Sequence, residues 1–165
     1  MDGTMNTSSL IALLGFIAAC FAAALTGVFF RPGDWYERLA KPHWRPPNRL
    51  FAPVWTALYF TIAVSGWLIW REAGFSGAAL ALAVYAIQLV LNAAWTPIFF
   101  GLHRPGLGFL DIVLVWLFIV ATMLLFYPVH AWAALLLLPY LLWVSFAAAL
   151  NFAIWRLNPL ATTRG

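Results

Sequence analysis

The chain has 165 residues, of which 65% are hydrophobic and 8% are charged. A soluble domain carries roughly 25% charged residues, so this composition excludes a water-soluble globular protein. The only cysteine, Cys20, excludes an intrachain disulfide and lacks metal-site spacing, so we expect no metal site, and we expect no nucleic-acid partner.

Five nearly uncharged segments are each about 20 residues long, which is the length a helix needs to cross roughly 30 Å of hydrocarbon. We therefore predict an all-α integral membrane protein, with residues 1–165 forming a single domain built as a five-helix transmembrane bundle. Residues 31–49 form the one long connection, called the long loop below. The spans are expected at about 9–30, 50–70, 77–101, 107–127 and 131–155.

Small residues recur at every fourth position of the first span, at Gly15, Ala19, Ala23 and Gly27. Such a stripe lets another helix approach closely. It equally leaves room for a ligand beside Gly27. The stripe is also one candidate for a dimer interface, and Ala79 and Ala83 on the third span are another.

The long loop combines five Lys or Arg residues with Trp35, His43 and Trp44. Its prolines favour an extended backbone from Lys41 to Pro47, because a residue before proline avoids the helical region. Such a loop suits two roles. It can lie on lipid headgroups, or it can close over a flat anionic ligand, with indole rings stacking and cations meeting carboxylates.

The third span carries polar side chains at membrane depth. Gln88, Asn92 and Trp95 are spaced i, i+4 and i+7, so they lie on one helix face. An unpaired amide in hydrocarbon is costly, so this face should point into the bundle, either as a contact between helices or as part of a ligand cavity. Pro97 cannot donate a backbone hydrogen bond, so we expect the helix to bend just after Trp95.

The last two spans each carry a notable feature. Asp111 is the only acid inside a span, which makes it a functional candidate, although pairing with Arg104 or with a Tyr or Trp donor would also account for it. In the fifth span, Pro139 should kink the helix and free the carbonyl of Leu135. One inward face of that span is formed by Trp143, Phe146, Ala147, Leu150 and Asn151.

Lys and Arg are distributed unevenly between the two ends of the spans. The long loop has five, the loop at Arg104 has one and the C-terminal end has two, against only Arg71 on the other side. The positive-inside rule therefore places the long loop and the C-terminus in the cytoplasm. An outer-membrane location would suspend that rule, and the choice between the two bacterial membranes stays open.

Six groups of residues stand out in order along nearly the whole chain. They are Trp35-Tyr36, Lys41-Pro42-x-Trp44-x-Pro46-Pro47, Pro53-x-Trp55-x-x-Leu58-Tyr59, Gln88-x-x-x-Asn92-x-x-Trp95-x-Pro97, Pro139-Tyr140-x-x-Trp143, and Leu150-Asn151 with Trp155-Arg156-x-Asn158. Taken together they resemble the translocator protein family, whose bacterial members are called tryptophan-rich sensory proteins (TspO).

The resemblance implies a five-helix bundle, usually a homodimer, with a cavity that opens toward the long loop. It implies protoporphyrin IX or haem as ligand, no required cofactor, and a link to tetrapyrrole or pigment metabolism and stress responses. Trp55 and Trp143 match two residues implicated in light-dependent porphyrin breakdown in some bacterial members. Carried over residue by residue, the cavity would be lined by Gly27, Phe30, Phe51, Ala52, Trp55, Asn92, Trp95, Ile98, Trp143, Phe146, Ala147 and Leu150.

Two positions depart from the family pattern. The family's proposed cholesterol motif needs a Tyr where this chain has Phe152, so the motif is incomplete and we expect contact with membrane lipid without sterol specificity. Some relatives have a Trp pair in the long loop where this chain has His43 and Trp44, so a porphyrin would lose one stacking face there.

Three functions fit these features. We first expect a protein that binds and senses tetrapyrroles, because the interior is apolar and aromatic with a few amides and the long loop is cationic. The second is a passive or partner-driven transporter of tetrapyrroles or other lipid-soluble ligands. The third is light-dependent porphyrin breakdown. No hydrolytic triad or paired-carboxylate pattern is visible, so that chemistry would need the excited porphyrin, oxygen and Trp55 or Trp143 as redox partners.

Overall fold

A computed structural model describes residues 6–159, and every regular element within them is helical. Residues 1–5 and 160–165 of the predicted domain lie outside this part. Five segments are long and apolar enough to cross a membrane, which confirms the predicted all-α transmembrane bundle. The helices are α1 (Thr7–Phe29), α2 (Asp34–Arg38), α3 (Phe51–Gly77), α4 (Ala79–Thr96), α5 (Pro105–Phe126), α6 (Ala131–Leu135) and α7 (Leu138–Leu157).

The second span is longer than the sequence predicts. α3 runs to Gly77, whereas the expected end lies at about residue 70. Arg71 stays helical and packs its guanidinium over the Trp67 ring, 4.8 Å from the ring centroid. The kink falls at Gly74, whose φ of +66° suits glycine, and only Ala78 separates α3 from α4.

The third span changes geometry where the sequence predicts a bend. α4 ends at Thr96 and continues as a π-helical turn over Pro97–Gly101. In that turn the Leu102 amide donates to the Pro97 carbonyl at 2.8 Å, a bond across five residues. The wider turn accommodates a residue that has no amide hydrogen.

The fifth span is broken into two helices, as its proline predicts. α6 ends at Leu135, and α7 begins at Leu138, one residue before Pro139. The carbonyl of Ala133 at this break accepts a hydrogen bond from the Ser65 hydroxyl of α3 at 2.7 Å. A side chain from a neighbouring helix thus satisfies backbone at the break, as a low-dielectric interior requires.

One close helix approach in this fold is at Gly66 of α3, whereas most of the small-residue stripe of α1 has no close neighbour. A Cβ atom at Gly66 would lie 2.8 Å from the rings of Phe16 and Tyr85, which come from α1 and α4. By contrast, no described atom lies within 4 Å of a Cβ built at Gly15 or Gly27. The stripe on α1 is therefore mostly open, and its Gly27 end is free to border a cavity.

Candidate functional site

A cavity of about 610 Å³ lies among α1, α3, α4, α5 and α7, at the end of the bundle that faces the long loop. α5 contributes Ile112 and Val115 to its wall. Most of the other lining groups are aromatic or aliphatic. The aromatic members are Phe30, Tyr36, Phe51, Trp55, Tyr59, Trp95, Phe99, Phe100 and Trp143.

Ten of the site residues expected from the sequence border this one cavity. They come from α1, the start of α3, the end of α4 and the middle of α7, which the fold brings to the same depth. Trp55 and Trp143 are both among them, and their part in light-dependent chemistry stays a prediction. The ten are Gly27, Phe30, Phe51, Ala52, Trp55, Asn92, Trp95, Trp143, Ala147 and Leu150.

Two tryptophans of the long loop do not border the cavity. Trp35 stacks on His103, with ring centroids 4.4 Å apart, and meets Phe99 edge-on. Trp44 packs edge-on against Phe146, 5.8 Å between centroids. Both indoles are therefore used to hold the long loop onto α7 and onto the α4–α5 connection.

Two further expected residues, Phe146 and Ile98, lie outside the lining as well. Phe146 packs on Trp143, with centroids 5.6 Å apart, and so supports a lining residue from behind. Ile98 falls within the π-helical turn, which alters the register of the residues after Trp95. Phe99 and Phe100 border the cavity in its place.

The plane of Trp95 is fixed by its neighbours. Its indole stacks on Phe99 at 5.0 Å, and its Nε1 donates to Asn151 Oδ1 at 3.0 Å. Asn151 Nδ2 in turn donates to the Pro105 carbonyl at 2.7 Å. Trp95 therefore presents a preorganised aromatic face to the cavity, so that little side-chain entropy remains to be lost on binding.

The amides of α4 belong to one hydrogen-bonded chain. The Tyr59 hydroxyl donates to Asn92 Oδ1 at 2.6 Å, and Asn92 Nδ2 donates to the Tyr140 hydroxyl at 3.0 Å. The Tyr140 hydroxyl donates to Gln88 Oε1 at 2.9 Å. Tyr59 and Asn92 border the cavity, whereas Gln88 and Tyr140 are buried behind it. Asn92 thus joins α4 to neighbouring helices and also lines the cavity, whereas Gln88 only joins α4 to α7.

One hydrogen-bond donor in the cavity wall has no partner among the described residues. Trp143 Nε1 is buried, and no described acceptor meets it. The Trp143 ring packs edge-on against Phe51, 5.7 Å between centroids. Because this nitrogen is buried, Trp143 contributes its ring rather than its N–H group to the cavity wall.

Asp111 does not form the pairs that the sequence suggests. Its side chain is buried, and within residues 6–159 no hydrogen bond or ion pair reaches its Oδ2 atom. Neither Arg104 nor a Tyr or Trp donor meets it there, and it does not border the cavity. Its neighbours in sequence, Ile112 and Val115, occupy the cavity wall instead.

The cations of the long loop have different roles. Arg31 borders the cavity, and its Nε donates to the Val28 carbonyl at 3.0 Å. Lys41 instead donates to two carbonyls of its own loop, at 2.9 and 3.0 Å. Arg45 donates to Asn48 Oδ1 at 3.2 Å, and a turn closed by the bond from its amide to Pro42 replaces the extended backbone expected there. Arg31 is thus the loop cation that the fold places beside the cavity.

Some residues that line the cavity are not predicted as site residues from the sequence. Tyr59 follows Trp55 by four residues and so shares its helix face, a signal that was available in the spacing. Tyr36 stands out in the sequence only as part of the Trp35-Tyr36 motif; in the structure it is buried against Phe99 and Phe100 and borders the cavity. No local pattern indicates that contact, because it joins the long loop to the end of α4.

The fold and the site define a class: a five-span helical membrane protein with an aromatic cavity under a cationic loop. A family model described as the TspO/MBR family matches residues 16–156. The chain therefore belongs to the TspO/MBR family.

Relatives share much of this sequence. Protein CrtK of Rhodobacter capsulatus is 46% identical over 148 residues, which cover 87% of this chain and 91% of the relative. The tryptophan-rich sensory protein of Cereibacter sphaeroides is 43% identical over 145 residues, 88% of this chain and 90% of the relative. The human translocator protein is 39% identical over 150 residues, 88% of this chain and 89% of the relative.

Proposed function

We propose that this protein binds tetrapyrroles such as protoporphyrin IX or haem in the cavity, and that binding serves a sensory role in tetrapyrrole or pigment metabolism and stress responses. The observation that carries the proposal is the cavity itself. Its volume, about 610 Å³, falls within the range of about 300–1,000 Å³ typical of small-molecule sites. The sensory role is supported by the name of the Cereibacter sphaeroides relative.

The chemistry of the lining suits a large flat macrocycle with acidic substituents. Trp55, Trp95 and Trp143 offer aromatic faces to the ring system. Arg31, which borders the cavity, would meet a propionate. An apolar enclosure with a few convergent polar groups is the usual pattern of such sites.

A titration with protoporphyrin IX tests the proposal. Intrinsic tryptophan fluorescence is followed in the dark, in detergent, for the wild type and for Trp95→Phe and Trp143→Phe. Saturable quenching should weaken by about tenfold in apparent affinity in both variants, since each loses indole contact area in the cavity wall. Trp132→Phe is the matched control, because Trp132 is exposed at the other end of the bundle. Non-saturating quenching that is equal in all four proteins would contradict a tetrapyrrole site.

A further inference from the structure

The side chain of Asn158 binds the long loop in the manner of a neighbouring strand. Its Oδ1 accepts from the Ala40 amide at 2.9 Å, and its Nδ2 donates to the Ala40 carbonyl at 2.9 Å. Ala40 lies in irregular backbone just after α2, so neither of these groups has a partner in secondary structure. One primary amide thus satisfies both backbone groups of a residue 118 positions away in the chain.

The geometry leaves little freedom to this amide. The second hydrogen of Nδ2 donates to the Ile154 carbonyl at 2.7 Å, at the end of α7. Both donor hydrogens and one acceptor lone pair are therefore engaged, which fixes the amide orientation. A carboxylate of the same shape would face the Ile154 and Ala40 carbonyls with an oxygen and lose both donor bonds.

The pair of hydrogen bonds between the Asn158 side chain and the Ala40 backbone, called the clasp below, lies beside the cavity but not in it. Neither Asn158 nor Ala40 borders the cavity, whereas Tyr36 and Asn48, on either side of Ala40 in the long loop, both do. Apart from the clasp, rings hold this loop to the bundle: Trp44 on Phe146, and Tyr36 on Phe99 and Phe100. The two bonds from Asn158 to Ala40 are thus side-chain hydrogen bonds that join the long loop to the end of α7.

We propose that Asn158 is a positioning residue that holds the long loop closed over the cavity mouth, and thereby sets how fast molecules enter and leave the cavity. The effect on equilibrium affinity is small, because Asn158 does not itself border the cavity and a loop released from α7 speeds entry and exit alike. The identity of the gated ligand rests on the proposed function, but the closure itself does not.

The test uses Asn158→Asp, with Asn158→Ala as an uncharged second variant. Arg156→Gln is the matched control, because it lowers the net charge by the same amount at the same helix end and Arg156 is exposed. Hydrogen–deuterium exchange of the Ala40 amide reports the clasp directly. Exchange should be about tenfold faster or more in both Asn158 variants, as expected for losing two hydrogen bonds, and unchanged in the control.

Closure is measured without any ligand by labelling a cysteine inside the cavity. Ala147→Cys is introduced with Cys20→Ala, and a water-soluble maleimide is added to the protein in lipid nanodiscs. Labelling should be about tenfold faster with either Asn158 variant and unchanged with Arg156→Gln. Faster exchange at Ala40 with unchanged labelling would show that Asn158 does not control access to the cavity. Unchanged exchange would show that the Asn158 hydrogen bonds do not hold the Ala40 backbone.

Protoporphyrin IX kinetics complete the test. Both the association and the dissociation rate constants should rise about tenfold in Asn158→Asp, with Kd changed by less than about threefold. A Kd that weakens with an unchanged association rate would mean that Asn158 shapes the site, which overturns the gating role. A wild type that does not bind porphyrin would refute the proposed function, while the exchange and labelling results would still decide the closure.

Discussion

Tyr140 shows how single residues hold the interior of this bundle. Its side chain is fully buried, and its hydroxyl accepts from Asn92 and donates to Gln88. The sequence places both amides on one inward face of the third span, but not the tyrosine that joins them. That tyrosine lies 48 residues from Asn92, on another helix, and spacing along a chain carries no information about such a distant partner.

We expect Tyr140→Phe to lower the free energy of unfolding by about 1–2 kcal/mol, because two interhelical hydrogen bonds are lost in a low-dielectric interior. The cost arises because Asn92 and Gln88 would each be left with one more unpaired group. Unfolding by SDS titration in mixed micelles measures the change, with the exposed Tyr127→Phe as control. Equal stability of the two variants would show that the polar chain contributes no net stability.

At the scale of the element, hydropathy and proline together predicted most of the helices. Long apolar runs give the five spans, and Pro97 and Pro139 mark the π-helical turn and the break before α7. The sequence does not predict that α3 extends past Arg71, because a charged residue usually marks the end of a membrane span. The contact of Arg71 with the Trp67 ring becomes visible only in the structure. The turn at Pro42 to Arg45 was missed for a similar reason, because local rules exclude helix before proline without excluding a turn.

The approach of α1, α3 and α4 depends on the missing side chain at Gly66. We expect Gly66→Ala to lower the free energy of unfolding by about 1–3 kcal/mol, because the new methyl group would overlap the Phe16 and Tyr85 rings. Gly15→Ala is the control, since its Cβ would meet no described atom within 4 Å. The same SDS titration measures this change. A Gly66→Ala protein as stable as the wild type would mean that the Phe16 and Tyr85 rings can shift without lowering the free energy of unfolding.

At the scale of the whole molecule, the five spans place every cationic loop at one end. The structure sets the long loop, Arg104 and the end of α7 on the side of the cavity, and Arg71 on the other; Arg164 lies outside the described residues. We therefore expect a tag at the C-terminus to be cytoplasmic in an inner membrane. A protease-protection assay that finds this tag outside would reverse the orientation.

We propose the outer face of α4 as the contact of a homodimer. Ala79 and Ala83 are exposed there, which fits a close helix crossing. On α1, Gly15 and Ala19 are exposed too, but Gly27 at the end of that stripe borders the cavity. A partner helix packed along the stripe would therefore cover part of the cavity.

If the cavity is the ligand site, a side chain that fills it should exclude the ligand. Gly27→Phe places a ring at a position that borders the cavity and has open space around it. Gly15→Phe adds the same ring to the same helix, at a position that is equally open and does not border the cavity. The pair therefore separates occupation of the cavity from a change in the surface of α1.

The measurement is the dissociation constant for protoporphyrin IX, read from the Soret absorption band in lipid nanodiscs. We expect Gly27→Phe to weaken binding by more than about tenfold, because the added ring takes volume that the ligand needs, whereas Gly15→Phe should match the wild type. Equal affinities in all three proteins would place the porphyrin outside this cavity and contradict the account.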